Sequence, residues 1–508
     1  MQKTKIAIVG GGVSGVTAAL YLSQYGIDVT LFEKKSSLVD GPPWCHLHAG
    51  GNLYREISDQ QCSNLLEQSI DFIKFYPFAV DYRPTVIALP LTDESTPQSL
   101  LPRLRYLRNI YKMLIEEDNS NGVLGDYCDY FRLFSREEME CLKEKEVVSS
   151  PISQEEWMIP VAKHLNLDAV QYPLIMVQEF GLNMFRLASA AKLLFAQSDT
   201  THLYLNTTVD RIEKVDNSWK MSFLDERGNM HSESFDYLVN ASGFESGKID
   251  DMLGIDAKRM VEFKSSYISV WDEKSNLKFP EIIFHGKRGT PQGMGQFTPY
   301  PGGYFQLHGM TKEITLYEDG LVSSSDTSAQ PQLGETFLEK FRSGWSEDEI
   351  QTRTQKAIEH IARFIPEFKN ATVGSKPLFG AQQVSGEDIT LRVGEVAFAT
   401  KGYARCEIIK VSSSIQMAKL IWADLKKHLH LNAEVIPHSL EQKINSLNEK
   451  ILSQLAQKIA NHRGYPESLA LRNVPKLPQR DHPLKVDETI LNQSYDGCSS
   501  SIKRRLNV

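Results

Sequence analysis

The sequence predicts an α/β protein in which a domain with a parallel sheet is interleaved with an α+β domain built on an antiparallel sheet. A helical extension is expected to follow at the C-terminus. A strand, a glycine-rich turn, a helix and a second strand follow one another at residues 5–33, the pattern of a doubly wound domain. Short strands with alternating apolar residues and turn residues occupy residues 258–370. Near the C-terminus, apolar residues recur at the spacing of amphipathic helices.

The overall composition bounds the class of protein. A chain of 508 residues with 41% hydrophobic and 24% charged residues is typical of a globular protein with about two to four domains. Its formal charge, 56 − 64 = −8, argues against a nucleic-acid binder, which is usually basic. No apolar run of about 18 residues occurs, so no transmembrane helix is expected.

The cysteines and the start of the chain indicate a compartment. Six cysteines are scattered without a CxxC pair, which favours free thiols in a reducing environment over a disulfide framework. The chain enters a strand pattern at residue 5, leaving no room for a secretory signal peptide. We therefore expect a cytoplasmic protein.

The first 33 residues carry the most specific motif. The apolar strand "KIAIV" is followed by "GGGVSG" at residues 10–15, which satisfies GxGxxG, and then by a helix and the strand "DVTLF". Gly10 permits the tight turn, Gly12 lets the backbone approach a pyrophosphate, and Gly15 lets the helix pack on the strand. Glu33, at the end of the second strand, is placed to bind an adenosine ribose. The motif predicts a Rossmann-type dinucleotide site, with candidate residues Gly10, Gly12, Val13, Ser14, Gly15, Glu33 and Lys34.

The motif serves both NAD and FAD, and later segments favour FAD. Residues 205–246 show three short strands and then a buried strand that runs into "ASG". That order resembles flavoproteins with two dinucleotide-binding domains. The resemblance implies that Val209 contacts adenine and that Ser242 and Gly243 belong to a second glycine motif.

The chain resembles the D-amino-acid oxidase and glycine oxidase superfamily over roughly residues 4–425. A "GHxRNGI" loop of that family is matched by "GYARCEI", which aligns Gly402 and Arg405 and implies that both belong to the cofactor site. "KPLFGAQQVSGEDITLRVGEV" echoes a second family motif. Two departures leave the substrate open: Gln382 or Gln383 stands where many relatives carry arginine, and Cys406 with Glu407 replaces Asn-Gly.

The resemblance implies how the domains are interleaved. A Rossmann-type FAD-binding domain would comprise residues 1–80, 171–257 and 371–428, with a substrate or cap segment at 81–170 and an antiparallel substrate domain at 258–370. Residues 429–508 would form the helical extension and tail. Within it, "EQKINSLNEKILSQLAQKIANH" predicts an amphipathic helix. We expect this helix to dock on the body or on a second subunit; peripheral membrane contact, aided by the basic "IKRR", is the alternative. The oligomeric state stays open.

Arg405 is the candidate anchor for a substrate carboxylate, because a guanidinium can bind it through two parallel hydrogen bonds. The alternative is a structural salt bridge to Glu407. Tyr300 and His308, on predicted strands joined by a Pro-Gly-Gly turn, are candidates for the pocket wall and for catalysis. Aromatic residues in strands are, however, more often part of the core.

The segment "WCHLHAGGNLYREI", residues 44–57, concentrates further candidates. Cys45, His46 and His48 make an irregular ligand set, so no metal site is expected. His48 is a candidate general base. The segment also resembles the flavin-linked region of dimethylglycine and sarcosine dehydrogenases, and segments of 2-hydroxyglutarate dehydrogenases and malate:quinone oxidoreductases. His48 would then join FAD covalently, although non-covalent FAD is favoured, or merely brace the loop.

In the same segment Ala49, Gly50 and Gly51 would let the backbone approach the flavin. Other flavoprotein classes fit less well. Disulfide reductases need a CxxC-type pair, and aromatic hydroxylases carry a "GDAAH"-like segment; neither is present.

The expected function is FAD-dependent removal of hydride from the carbon next to the carboxylate of a small amino or hydroxy acid. Electrons would pass to oxygen or a quinone. One alternative is a malate-like hydroxy-acid:quinone oxidoreductase, peripheral on the inner face of the membrane. Another is a non-catalytic flavin- or nucleotide-binding assembly protein, since a fold does not guarantee activity.

Overall fold

The computed structural model describes residues 4–47, 55, 57–388, 391, 394, 396–431 and 439–477. The strands are β1 (Lys5–Val9), β2 (Asp28–Phe32), β3 (Val80–Asp81), β4 (Thr85–Ala88), β5 (Phe131–Phe134), β6 (Leu174–Val177), β7 (Gly181–Leu182), β8 (Thr201–Tyr204), β9 (Thr208–Val215), β10 (Ser218–Leu224), β11 (Met230–Phe235), β12 (Tyr237–Asn240), β13 (Arg259–Val270), β14 (Glu281–Phe284), β15 (Gly295–Pro299), β16 (Tyr304–Gly309), β17 (Leu321–Ser323), β18 (Thr372–Ser385), β19 (Val396–Thr400) and β20 (Tyr403–Cys406). The helices are α1 (Val13–Ser23), α2 (Asp59–Phe75), α3 (Pro97–Glu117), α4 (Arg136–Lys143), α5 (Gln154–His164), α6 (Met184–Ala196), α7 (Ser246–Met252), α8 (Glu335–Ser343), α9 (Glu347–Ala362), α10 (Ser414–His428), α11 (Ser439–Asn445) and α12 (Glu449–His462).

The predicted Rossmann-type sheet is confirmed. Its order is β19-β20-β12-β1-β2-β8, with β19 antiparallel at one edge and the other strands parallel. The central strand β1 is apolar and buried, because it is covered on both faces. The strands come from three separate stretches of the chain, which confirms the interleaved architecture. The carboxyl ends of β1, β2, β12 and β20 meet at one edge, where open α/β sheets bind ligands.

A nine-stranded, mostly antiparallel sheet forms the second domain, in the order β17-β13-β16-β15-β14-β4-β6-β5, with β18 also paired to β13. One face packs on an apolar cluster with α4, α5 and α9; this cluster includes Ile282, Phe297 and Leu307. Because side chains alternate along a strand, the opposite face carries the residues between them. They include a set of polar residues that lie largely buried: Thr85, Glu281, Gln296, Thr298, Gln306 and His308. We call this set the polar face.

Two of the expected domain boundaries need correction. We expected residues 371–428 to belong to the FAD-binding domain, but β18 pairs antiparallel with β13 in the nine-stranded sheet. We also expected residues from 171 onward to return to the FAD-binding domain, but β6 pairs with β4 and β5. In both cases a strand is held in the second sheet by its ladder, so the crossings lie after Ser385 and after Val177.

The C-terminal extension, residues 439–477, docks on the body of the molecule. Its predicted single helix is two helices: α11 ends at Asn445, and the Asn448 side chain caps α12 by accepting hydrogen bonds from the backbone N–H groups of Lys450 and Ile451. The apolar side of α12, with Leu452 and Ala456, is buried against α6. Helix α12 therefore docks on the body of the molecule, the first of the two expected alternatives.

Two further observations concern the helices and the cysteines. Among the described residues, no helix combines the length and the apolar character needed to cross a bilayer. The five cysteines within the described part of the chain, Cys45, Cys62, Cys128, Cys141 and Cys406, are free.

The contact between β1 and α1 gives a test of this fold. A Cβ on Gly15 would lie 1.8 Å from the carbonyl oxygen of Gly10, whereas a Cβ on Gly12 would have no neighbour within 4 Å. We expect Gly15→Ala to lower the free energy of unfolding by about 3 kcal/mol through overpacking. The matched control, Gly12→Ala, should leave it nearly unchanged. Urea unfolding of the two variants checks this, and equal stabilities would contradict the described packing.

Candidate functional site

The turn after β1 is shaped by two glycines at the carboxyl edge of the parallel sheet. Gly10 has a φ of +107°, and a Cβ there would meet the Ala241 carbonyl oxygen at 2.3 Å. Its N–H donates to the Phe32 carbonyl at 2.8 Å. Only glycine fits this close approach of β1, β2 and β12.

The N-terminus of α1 opens beside this turn. Gly12 is the N-cap residue, no side chain caps the helix, and its first turn holds no acidic residue. The first N–H groups of a helix lack intrahelical partners and carry partial positive charge. Val13 and Ser14 begin the helix, so these groups and the space at Gly12 suit a diphosphate.

Two further segments reach the same edge. The Glu33 carboxylate accepts hydrogen bonds from the N–H groups of Gly11 at 2.6 Å and Lys35 at 2.8 Å, which orients it next to the turn. Lys34 pairs with Glu245, just after β12. The structure thus brings the glycine turn, Glu33 and Lys34 together at one edge of the sheet. We use the name cradle for these residues together with residues 242–243.

Residues 242 and 243 complete the cradle. Ser242 donates its hydroxyl hydrogen to the Val9 carbonyl at 3.2 Å, and Gly243 has a φ of +59° with open space around a Cβ. The neighbouring Val209, on β9, is half-buried and packs against the cluster that includes Val9 and Phe32. These donors and this open space fit the adenosine diphosphate part of FAD.

Gly402 lies elsewhere, so its assignment to the cofactor site needs correction. It precedes β20, and its carbonyl accepts the Leu238 N–H at the start of β12. The cradle lies at the carboxyl ends of the parallel strands. Gly402 lies at their amino ends, which form the opposite edge of the sheet. The segment that follows β20 lies at the carboxyl edge of the sheet, the same edge as the cradle.

Arg405 is buried and paired within the protein. Its Nη1 lies 2.8 Å from Asp250, and its Nε donates to Glu407 at 2.7 Å. Asp250 also accepts from the Tyr403 hydroxyl at 2.6 Å and pairs with Arg259. The N–H groups that would bind a substrate carboxylate are therefore engaged by two carboxylates of the protein.

Gln382 and Gln383 hold the segment that follows β20. The Gln383 amide donates to the Cys406 carbonyl at 2.6 Å, and the Gln382 amide donates to the Ile409 carbonyl at 2.8 Å. These contacts link the nine-stranded sheet to the carboxyl edge of the parallel sheet. The two domains therefore meet next to the cradle.

A buried ion network joins the segment after β2 to the polar face. His46 Nε2 lies 2.7 Å from Glu179, and His46 Nδ1 lies 3.0 Å from Glu281. Burial opposes a charged ring, but Glu281 and Glu179 raise the pKa of His46 to about 9. His46 is thus an imidazolium at neutral pH.

Arg83 shares the same glutamate. Its Nη1 lies 2.6 Å from Glu281, which is fully buried, and its Nε lies 3.6 Å from Asp81. Burial again opposes charge, yet His46 and Arg83 lower the pKa of Glu281 to about 2. Gln296 donates to Glu281 at 2.7 Å and to the Cys45 thiol at 3.3 Å. The network is ionised and fixes Cys45 and His46 on the polar face.

His308 differs from His46 in its environment. Its neighbour across the ladder is Gln296, and its buried Nδ1 has no hydrogen-bond partner among the described residues. Burial lowers the pKa of His308 to about 4, and the positive charges of Lys264 and Lys410 act in the same direction. The negative charge of Glu281 opposes them. His308 is therefore neutral at physiological pH.

Tyr300 closes the polar face next to Gln306, near the turn that joins β15 and β16. Its hydroxyl donates to Gln306 at 2.9 Å, and Gln306 donates to Ser266 at 2.8 Å. Burial, with the charges of the nearby network, raises the pKa of Tyr300 well above its usual value. Tyr300 thus remains a neutral hydrogen-bond donor.

His48, Ala49, Gly50 and Gly51 lie outside the described residues, so their predicted roles stay predictions. Beyond that gap, Arg55 pairs with Asp93 at 2.7 Å and donates to His285 at 3.1 Å. Within the described ranges no group of three or more His, Cys, Asp or Glu side chains has a metal-binding arrangement.

Sequence reasoning missed Arg83, Glu179 and Glu281. A charged residue at the head of an apolar strand, as in "PEIIF", was the available signal. Their partners, however, lie far along the chain: 198 residues separate Arg83 from Glu281, and 133 separate His46 from Glu179. Local patterns carry no information on such pairs.

Comparisons with known proteins agree with this geometry. Residues 5–382 match the model of the DAO family, described as FAD dependent oxidoreductase. A search among curated proteins by sequence found no match. Similar solved structures include glycine oxidase from Geobacillus kaustophilus, with a TM-score of 0.51 and 13% identity over 86% of this chain and 99% of that chain.

Two others have a TM-score of 0.54 and show the same fold. The glycerol-3-phosphate dehydrogenase from Bacillus halodurans is 12% identical over 92% of this chain and 81% of that chain. L-amino acid deaminase from Proteus vulgaris is 13% identical over 89% and 96%. Because the family model covers most of the sequence, and the cradle fits the expected nucleotide, the chain belongs to the DAO family of FAD-dependent oxidoreductases.

Proposed function

We propose that this oxidoreductase oxidises the carbon next to the carboxylate of a small amino or hydroxy acid and passes the electrons to oxygen or a quinone. The observation that carries the proposal is the charge distribution on the polar face around His308. In the strand order β13-β16-β15-β14, His308 on β16 lies between Lys264 on β13 and Glu281 on β14. One flank of the histidine thus carries the Lys264 cation, whereas the Glu281 charge on the other flank is balanced by His46 and Arg83.

This polarity complements a substrate that carries a carboxylate beside an amino or hydroxyl group. Lys264 donates to Gln382 at 2.8 Å and lies 2.9 Å from Glu262, which holds its ammonium group in place. The lysine flank favours the carboxylate, since opposite charges attract strongly at partly buried sites, and the neutral His308 beside it favours the amino or hydroxyl group. Two of the similar structures are named for amino acid substrates, which accords with this proposal.

The proton of the amino or hydroxyl group needs an acceptor. His46 is an imidazolium held between Glu179 and Glu281, so it has no basic nitrogen to offer. His308 is neutral and its buried Nδ1 has no hydrogen-bond partner among the described residues, so we assign it the role of general base. A substrate carboxylate near Lys264 would offset that cation and raise the pKa of His308, making the ring a better acceptor.

The residues of the cradle hold FAD, and the bound flavin supplies the hydride acceptor. The polar face orients the substrate carbon and excludes water. Tyr300 supports that face, because its hydroxyl fixes the Gln306 amide. Arg405 stabilises the junction of the domains through Asp250 and Glu407.

The decisive experiment is anaerobic bleaching of the purified holoenzyme with a panel of small acids. We expect a flavin spectrum that is bleached by one class of 2-amino or 2-hydroxy acid, and not by the corresponding amine or alcohol without a carboxylate. Bleaching only by glycerol 3-phosphate, or by no member of the panel, would contradict the proposal. Peroxide formed on readmission of air distinguishes oxygen from a quinone as acceptor. Flavin retained in an acid precipitate would indicate a covalent link, the alternative that the sequence offers at His48.

The role of His308 is tested by His308→Asn. We expect the rate of bleaching to fall by about 100-fold, the usual contribution of a positioned base, with FAD content unchanged. In the wild type the rate should decline as the pH falls toward 4, where the ring becomes protonated. His360→Asn is the matched control, since His360 is buried on α9 and bonds Arg363. An unchanged rate in His308→Asn would refute the assignment.

The charge of His46 predicts how stability depends on pH. Its pKa is raised in the folded state from 6.5 to about 9, so its stabilisation is complete below pH 6.5 and is lost as the pH rises through 9. We expect the free energy of unfolding to fall over this window by on the order of 1 kcal/mol or more. His46→Gln should remove that dependence, whereas the exposed control His231→Gln should keep it. Urea unfolding at a series of pH values measures the difference.

A further inference from the structure

The C-terminal extension contacts the segment that leads away from the cradle. Arg463, at the C-terminal end of α12, donates to the Ser37 hydroxyl oxygen at 2.8 Å and to the Val39 carbonyl at 3.1 Å. It also bonds the Leu38 carbonyl. Its side chain is only 7% exposed. One guanidinium thus binds three consecutive residues of the loop that follows β2.

This loop touches the glycine turn directly. The Val39 N–H donates to the Gly11 carbonyl at 2.8 Å. Leu38 packs so closely that a Cβ on Gly11 would lie 2.7 Å from its Cδ2. On its other side Gly11 donates to the Glu33 carboxylate at 2.6 Å. Gly11 stands between Gly10 and Gly12, so the position of the loop sets the position of the phosphate-binding turn.

The loop has an unfavourable backbone conformation that needs support. Val39 has a φ of +56°, a value that a β-branched residue rarely adopts. Such a conformation is strained and persists only where the surroundings determine it. The supports are the bond from Val39 to Gly11 and the bond from Arg463 to Val39.

The charges around Arg463 make this support firm. Asp40 lies 3.8 Å from its guanidinium and 2.8 Å from Lys35, so the carboxylate holds both ends of the loop. The Arg463 and Lys35 charges outweigh burial and lower the pKa of Asp40, which keeps it ionised. An arginine keeps its charge at any pH at which the protein is folded.

We propose that Arg463 is a positioning residue for FAD, through which the C-terminal extension sets the affinity of the cradle for the cofactor. It acts on FAD through Leu38, Val39 and Gly11 rather than by contact. The proposal rests on FAD occupying the cradle. Without Arg463, the loop relaxes toward ordinary backbone angles, Gly11 shifts, and the N–H groups at the start of α1 lose their alignment with the diphosphate.

Arg472 provides a matched control. It belongs to the same extension, its side chain is 6% exposed, and it bonds the Val80 carbonyl at 3.0 Å and Glu449 at 3.0 Å. It makes the same kind of docking contact, but its partners lie away from the glycine turn. A purely structural role of the extension would make both arginines equivalent.

The test compares full-length Arg463→Ala and Arg472→Ala holoenzymes. We expect Arg463→Ala to release FAD on dilution with a Kd at least 10-fold above the wild type, read from the rise in flavin fluorescence. Amide hydrogen exchange in residues 8–16 should accelerate in this variant only. Arg472→Ala should lower the unfolding temperature and leave both readouts at wild-type values. Equal effects of the two variants, or none from Arg463→Ala, overturn the proposal.

A second pair keeps the test decisive if an alanine variant does not fold. Arg463→Lys retains the charge but loses the multiple hydrogen bonds, so residues 8–16 should exchange faster than in Arg472→Lys. Equal exchange in the two lysine variants overturns the proposal. The exchange readout also holds if FAD is covalently attached. A wild-type protein that binds no FAD would instead remove the basis of the proposed function.

Discussion

The structure depends on the buried carboxylate of Glu281, which has to be paired on both oxygens. Removing a charge from water costs several kcal/mol unless opposite charges replace the hydration. His46 and Arg83 meet that requirement from two different parts of the chain. The segment leaving the cradle is therefore tied to the nine-stranded sheet at His46. At its other end Arg463 ties it to the extension. The cradle and the polar face thus keep a defined relation to each other.

The parallel sheet could be predicted from the sequence because its signals are local. The strand, the glycine turn, the uncapped helix and Glu33 follow one another within 33 residues, and each constrains its neighbour. The capping box of α4 at Ser135 and Glu138 is likewise local, since its two partners lie three residues apart. The three strands β9 to β11 with their turns were predicted for the same reason.

The remaining features depend on contacts between distant residues. Whether β18 joins one sheet or the other is decided by its ladder to β13, and its own sequence is compatible with both. The motif around Arg405 identified the family, yet the partner that occupies its guanidinium, Asp250, lies 155 residues away. His308 was recognised as a candidate, but its neutrality follows from burial and from lysines on other elements. The break at Asn448 depends on a cap, which an apolar repeat does not reveal.

The interleaved topology has a consequence for synthesis of the chain on the ribosome. The parallel sheet needs β20, which ends at Cys406, and Asp81 is capped by the backbone of Asn473 and Val474. An N-terminal half released from the ribosome therefore lacks the strands and donors that complete its own core, and cannot fold as an independent domain in the usual order. Chain termination before about residue 473 would remove the two backbone donors of the buried Asp81 carboxylate. The core can thus be completed only after nearly all of the described chain has been synthesised, and truncated chains are expected to be substrates for proteolysis rather than partly active enzymes.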